Sequence, residues 1–171
     1  MKSGIEPKHE ARLRLQLTTL NLASNPLDGN REGWGWHPLK GKLKGHRAVT
    51  VNATWRLTFA FEGEDATPVD YQDYHAGEII MATMNSPASP GELLREFLAE
   101  RPISQLAEQT GVARATISRV LNPHTAVSVD QGIRLGKALS LSPEFFSKAQ
   151  LQFDMSIESQ KKQENLKPLA A

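Results

Sequence analysis

The change of hydrophobic period near His75 constrains the fold of this 171-residue chain more than any other feature. From Trp34 onward, Val49, Val51, Trp55, Leu57, Phe59 and Phe61 alternate with polar or small neighbours, the period of half-buried strands. Beyond Pro90 the apolar residues recur every three or four positions, the period of helices. A sheet-bearing half followed by an all-helical half makes an α+β chain. Ahead of the strands, Leu13, Leu15, Leu17, Leu20 and Leu22 lie among helix formers with no internal Gly or Pro, which predicts a helix over 7–23. The Asn-Pro and Asp-Gly pairs within 24–30 mark a turn. Residues 49–75 give two or three antiparallel strands with turns near 52–54 and at 62–65. Residues 76–89 end in small residues and prolines and read as a linker, with Ile79, Ile80 and Met81 as a candidate edge strand.

Five helices are expected from residue 90. The first has Pro90 at its start, where a missing N–H does no harm, with acidic residues following. The stretch from Ile103 to Leu121, ISQLAEQTGVARATISRVL, has the spacing of a helix-turn-helix. Ala107 is small where two helices cross, and Gly111 tolerates the left-handed backbone of a tight turn. Leu106, Val112, Ile117 and Val120 point to one small core, leaving Arg114, Ala115, Ser118 and Arg119 outward. Residues so placed suit the DNA major groove, with Arg114 and Arg119 as base or phosphate readers and Thr116 and Ser118 beside them. Ser104 and Gln105, at the start of the preceding helix, suit phosphate contacts. The plain alternatives are an ordinary helical hairpin and, for Arg119, a surface ion pair. The fourth helix opens at Ser128, with Gln131 three residues on as in a capping box, and runs through Ile133, Leu135 and Leu139. The fifth opens at Ser142-Pro143-Glu144, and a polar tail follows from Glu158.

Composition excludes several classes. With no cysteine there is no disulfide, thiolate metal site or thiol nucleophile, which suits a reducing cytoplasm. No apolar run approaches the roughly 18 residues of a membrane span, and the N-terminus lacks the apolar core of a secretory signal. The expectation is a cytoplasmic protein without metal or cofactor. Net charge is +1, and the split at His75 leaves both halves near neutrality, so nucleic-acid affinity must come from local arrangement. Two arrangements qualify: Lys40, Lys42, Lys44, His46 and Arg47, and the Arg114/Arg119 face.

Both halves carry a family resemblance. Residues 84–155, through GVARATISR and RLGKALSLSPEFF, resemble the HigA antitoxins of the Xre helix-turn-helix class, with an all-α, lambda-repressor-like fold. Residues 3–75, through SGI, HPLKG at 37–41, VNATWRLTFAF at 51–61 and the ending DYQDYH, resemble the HigB killer proteins of the RelE toxin superfamily. The resemblance implies a fused toxin–antitoxin polypeptide in domains 1–75 and 90–171. Such toxins cut messenger RNA on the ribosome without a metal. The motif carries His37 and Lys40 over from HPLKG, Arg56 from the Trp-Arg strand, and Tyr74 and His75 from the terminal Asp-Tyr-His. Cleavage by the ribose 2′-hydroxyl needs a base, an acid and cations on the phosphorane. His75 or His37 then serves in proton transfer, Lys40 and Arg56 hold phosphate, and Tyr74 orients or stacks on a base. Without the family, His37 reads as a turn residue before Pro38, Arg56 as a partner of Asp70 or Asp73, and Lys40 to Lys44 as a solvated loop. Relatives begin with a further strand and short helix before the segment matched by SGI, so the first domain is expected to be truncated at its N-terminus. Expected partners are operator DNA, messenger RNA if the first half is active, and a second copy through the helix-turn-helix domain. Three functions stand as alternatives: an autoregulatory operator binder that restrains its own toxin half, an active ribonuclease held in check in cis, and a transcription regulator with a dead toxin domain.

Overall fold

The structure is a computed structural model describing residues 7–63, 65–73, 79–81, 86–122 and 125–161. After a 3-10 turn at Pro7–His9 comes helix α1, Glu10–Leu22. Five strands follow: β1 His37–Pro38, β2 Arg47–Thr50, β3 Trp55–Glu62, β4 Asp65–Asp73 and β5 Ile79–Met81. They form one antiparallel sheet in the order β1-β2-β3-β4-β5. The alternation predicted β3 and β4 and the turns beside them. The two-residue β1 is too short to show a period, and only its pairing with β2 reveals it. Asn52 makes the β2–β3 turn, its Oδ1 accepting from Thr54 N at 2.8 Å and Trp55 N at 2.7 Å.

The helical half holds α2 Pro90–Leu98, α3 Ile103–Thr110, α4 Arg114–Val120, α5 Val129–Ala138 and α6 Phe145–Gln160. Its core is built on Leu93, Leu94, Phe97, Leu106, Ile117, Leu135, Phe145 and Phe146. At roughly 1.5–3 kcal/mol per buried large apolar side chain, such a set drives the packing of helices this short. Two details depart from the sequence reading. Ile133 is 37% exposed, because α5 turns Gly132 toward Phe146 and Ser147 of α6 and Gly136 toward Ser142 and Pro143 just before it. α6 opens at Phe145 and continues to Gln160, past the start of the polar tail.

α1 is apolar on two sides. Leu13, Leu17 and Leu20 pack on the sheet with Val49, Leu57, Phe59 and Tyr71, while Leu22 is buried in the helical core and Leu15 touches both clusters. A helix sandwiched in this way has no wet stripe, which is why its sequence shows leucines at mixed spacing. Polar contacts reinforce the seam. Ala88 N donates to Thr18 Oγ1 at 2.9 Å, and the Arg14 guanidinium pairs with the Glu92 carboxylate. Glu92 also closes the α2 capping box, accepting from Ser89 N at 2.8 Å. Below α1, the Asp28 carboxylate is 1% exposed and accepts from Ser24 N at 2.9 Å and Asn25 N at 3.3 Å in its own half. It also accepts from Ser142 N at 2.8 Å and Ser142 Oγ at 2.7 Å across the seam. Serine at 142 is thus spent on Asp28 and not on opening the last helix.

Asp28→Ala leaves buried N–H groups unpaired on both sides of the seam. The expected cost is about 2–4 kcal/mol, a fall of roughly 5–15 °C in the Tm of a chain this size, read by calorimetry. An unchanged Tm contradicts the seam. Burial alone raises the Glu92 pKa, but donation from Arg14 and from the Ser89 N–H and hydroxyl outweighs it and the net shift is downward from 4.5. The unfolded chain therefore binds the proton first as pH falls. Stability from Glu92 is complete above about pH 4.5 and is lost as pH drops through its lower folded value. Tm should fall more steeply on acidification in the parent chain than in Glu92→Gln.

Candidate functional site

Strand register decides which side chains share a face, since directly paired residues point the same way. Val49 pairs with Leu57 and Leu57 with Tyr71, and these three form the face covered by α1. His37 pairs with Ala48 and Ala48 with Thr58, while Thr50 pairs with Arg56. His37 and Arg56 therefore lie on the opposite face, away from α1. They are two strands apart and two residues out of step, about 10 Å across and about 7 Å along the sheet. An arginine side chain and a bound phosphate can span that gap. His37 is exposed, and its Nδ1 donates to the Gly35 carbonyl at 2.6 Å. Arg56 is half-buried on β3.

Lys40 opens the loop between β1 and β2, where Lys40, Lys42 and Lys44 are all exposed. Among the described residues none of the three makes an ion pair. The loop is nonetheless held in shape by Leu39 N to His46 O at 2.8 Å and His46 N to Leu43 O at 3.0 Å. His37 thus lies between the other two along the sheet, with Arg56 toward the β2–β3 turn and Lys40 in the β1–β2 loop at the opposite end. Tyr74 and His75 lie outside the described residues. No group of three His, Asp or Glu that could hold a metal occurs among the described residues.

The second candidate surface is the α3–α4 pair. Gly111 ends α3 with φ +67° and donates to Ala107 O at 2.9 Å. Thr110 Oγ1 donates to Leu106 O at 2.7 Å and accepts from Val112 N at 3.2 Å, while Arg134 of α5 donates to Thr110 O at 3.2 Å. This clamp fixes the angle at which α4 leaves the turn. Ile117 and Val120 are buried, and Arg114, Ala115, Ser118 and Arg119 are exposed, as the spacing predicts. Thr116 is half-buried. Arg119 leans on Ala115 O and Thr116 Oγ1, each at 3.4 Å, so its long bonds leave the guanidinium available. Ser104 and Gln105 are exposed in the first turn of α3. Ala113 stands at the N-cap of α4 with no side-chain cap, leaving first-turn N–H groups open to solvent or an anion.

Sequence reasoning missed the residues that orient these side chains. Trp34, 2% exposed, donates its indole N–H to Glu96 Oε1 at 3.0 Å, and Glu96 also pairs with Arg31 at 3.2 Å. The available signal was Trp34-Gly35-Trp36, a glycine between two large aromatics just before the histidine. His9 was missed too. It is buried and joins Tyr71 OH at 2.5 Å to Asn52 Nδ2 at 2.6 Å, linking the β2–β3 turn to β4.

Comparison with known proteins bears on both surfaces. Residues 1–75 match the family described as "RelE-like toxin of type II toxin-antitoxin system HigB". A relative named "Endoribonuclease HigB", from Proteus vulgaris, is 37% identical over 73 residues, which cover 43% of this chain and 79% of that protein. An "Uncharacterized HTH-type transcriptional regulator" of Haemophilus influenzae is 32% identical over 72 residues, 40% of this chain and 67% of its own. No described helix is long and apolar enough to cross a membrane. With HPLKG and the Trp-Arg strand both falling in the matched segment, the chain belongs to the HigB family of RelE-like toxins through its residues 1–75.

Proposed function

We propose that this chain is a fused toxin–antitoxin polypeptide whose helical half binds operator DNA for autoregulation and restrains the toxin half in cis. The observation that carries the DNA reading is the exposed row Arg114, Ala115, Ser118 and Arg119 on a helix clamped by Gly111, Thr110 and Arg134. Arginine binds guanine O6 and N7 bidentately, and Ser104 and Gln105 sit where the preceding helix meets a phosphate. One such domain offers a small footprint, so the chain works as a two-fold dimer on a palindromic site.

The toxin half is read as a metal-independent ribonuclease acting on ribosome-bound messenger RNA. The ribose 2′-oxygen attacks the neighbouring phosphorus, and the bond to the 5′-oxygen breaks. One proton leaves the 2′-hydroxyl and one is delivered to the 5′-oxygen, with His37 or His75 serving in the transfer; Lys40 and Arg56 hold phosphate, and Tyr74 orients or stacks on a base. Support comes from His37 and Arg56 sharing the sheet face opposite α1. Because the helical half packs on α1, at the other side of the sheet, restraint acts through bulk that keeps the toxin from a large RNA-bearing partner and leaves His37 exposed.

Purified chain should shift DNA from its own upstream region, with affinity falling steeply as salt rises. Arg114→Ala with Arg119→Ala should weaken binding by about 2–6 kcal/mol, and His37→Ala with Arg56→Ala should leave it intact. DNA binding indifferent to the arginine pair refutes the operator reading. In a translating extract, messenger RNA cleavage should drop roughly 100-fold or more with His37→Ala or Arg56→Ala. Cleavage that survives both changes refutes the assigned site.

A further inference from the structure

The hydrogen bond on His37 fixes more than its orientation. A carbonyl oxygen can only accept, so the 2.6 Å contact with Gly35 O puts the proton on Nδ1 and leaves Nε2 of the neutral ring bare. Gly35 has φ +60°, and a Cβ there would stand 2.7 Å from Thr50 Oγ1, so the turn that aims this carbonyl requires glycine. The residue before it is pinned twice. Trp34 O accepts from Thr50 N at 2.7 Å, and Trp34 Nε1 donates to Glu96 Oε1 at 3.0 Å. The indole also lies against Phe97, with ring centroids 6.2 Å apart. Glu96 and Phe97 belong to α2, in the other half of the chain. Arg31 holds Glu96 in turn, through the carboxylate at 3.2 Å and the backbone carbonyl at 2.5 Å.

We propose that Glu96 is a positioning residue for His37. By holding Trp34, the helical half fixes the Gly35 carbonyl and so presents His37 Nε2 as the proton acceptor of the sheet-face site. The helical half is then part of the architecture of that site as well as its restraint. This rests on the ribonuclease reading only for what the acceptor does, namely take the 2′-hydroxyl proton. The tautomer and its dependence on Glu96 stand apart from it.

The test uses full-length chain with 15N-labelled histidine, observing two-bond proton–nitrogen correlations above the titration of the ring, with His37 assigned through His37→Gln. The parent chain should show His37 with Nδ1 protonated and Nε2 bare. Glu96→Ala and Trp34→Phe should both shift His37 toward the Nε2–H form or a mixture, and Glu96→Gln, whose amide oxygen still accepts from the indole, should restore the parent pattern. Trp34→Phe keeps an aromatic ring in the seam, so the comparison holds even where Glu96→Ala unfolds. In RNA cleavage, Trp34→Phe should lower kcat about tenfold with KM nearly unchanged. A parent His37 in the Nε2–H form overturns the proposal, as does a tautomer that ignores both Glu96→Ala and Trp34→Phe. A chain that cleaves no RNA but whose His37 tautomer follows Glu96 keeps the positioning role and removes the ribonuclease reading.

Discussion

Two opposed apolar faces on one helix determine how this chain is put together. A helix of this length is marginal in water, and α1 gains its stability from what it covers. Leu13, Leu17 and Leu20 close the sheet core from one side, while Leu22 joins the core built by α2 to α6 and the loops beside them. Removing either partner exposes leucines that nothing else can cover. The ion pair of Arg14 with Glu92, the Thr18–Ala88 hydrogen bond and the buried Asp28 all lie along this seam, adding direction to contacts that hydrophobic burial alone leaves unoriented.

The placement of α1 also sets the two working surfaces. Because the helix and the domain behind it occupy one side of the sheet, His37 and Arg56 stand on the other. On the helical domain, the α3–α4 pair keeps its polar residues outward and its apolar ones in the shared core. The bulk of the helical domain lies across the sheet from His37, whereas Glu96 reaches toward it through Trp34 and Gly35.

Much of this was legible in the residues, and the parts that were not share a cause. Period-two alternation marked β3, Pro90 and the capping residue Ser128 marked α2 and α5, and the spacing from Ala107 to Val120 marked the turn between α3 and α4. Each of these is a local signal. The seam is not local: Asp28 meets Ser142 and Trp34 meets Glu96 across long sequence separations, and neither pair leaves a pattern in the intervening chain. The leucines of α1 predict a helix, and their mixed spacing reflects burial on two sides, which only the packing against both cores reveals. At the candidate site, register puts the motif residues His37 and Arg56 on one sheet face, while the carbonyl that orients His37 belongs to a backbone turn that side-chain motifs do not encode.

The claim most exposed to test is that α1 joins the halves into one cooperative unit. All three tryptophans, Trp34, Trp36 and Trp55, lie in the sheet half, whereas five of the six described α-helices lie in the other. Urea unfolding of the full chain can therefore be followed independently by indole fluorescence and by far-UV circular dichroism. Shared burial of α1 predicts coincident transitions with one midpoint and one slope. Two separated transitions, with helix content persisting after the indoles reach water, would show that the halves fold apart and that the seam does not hold them.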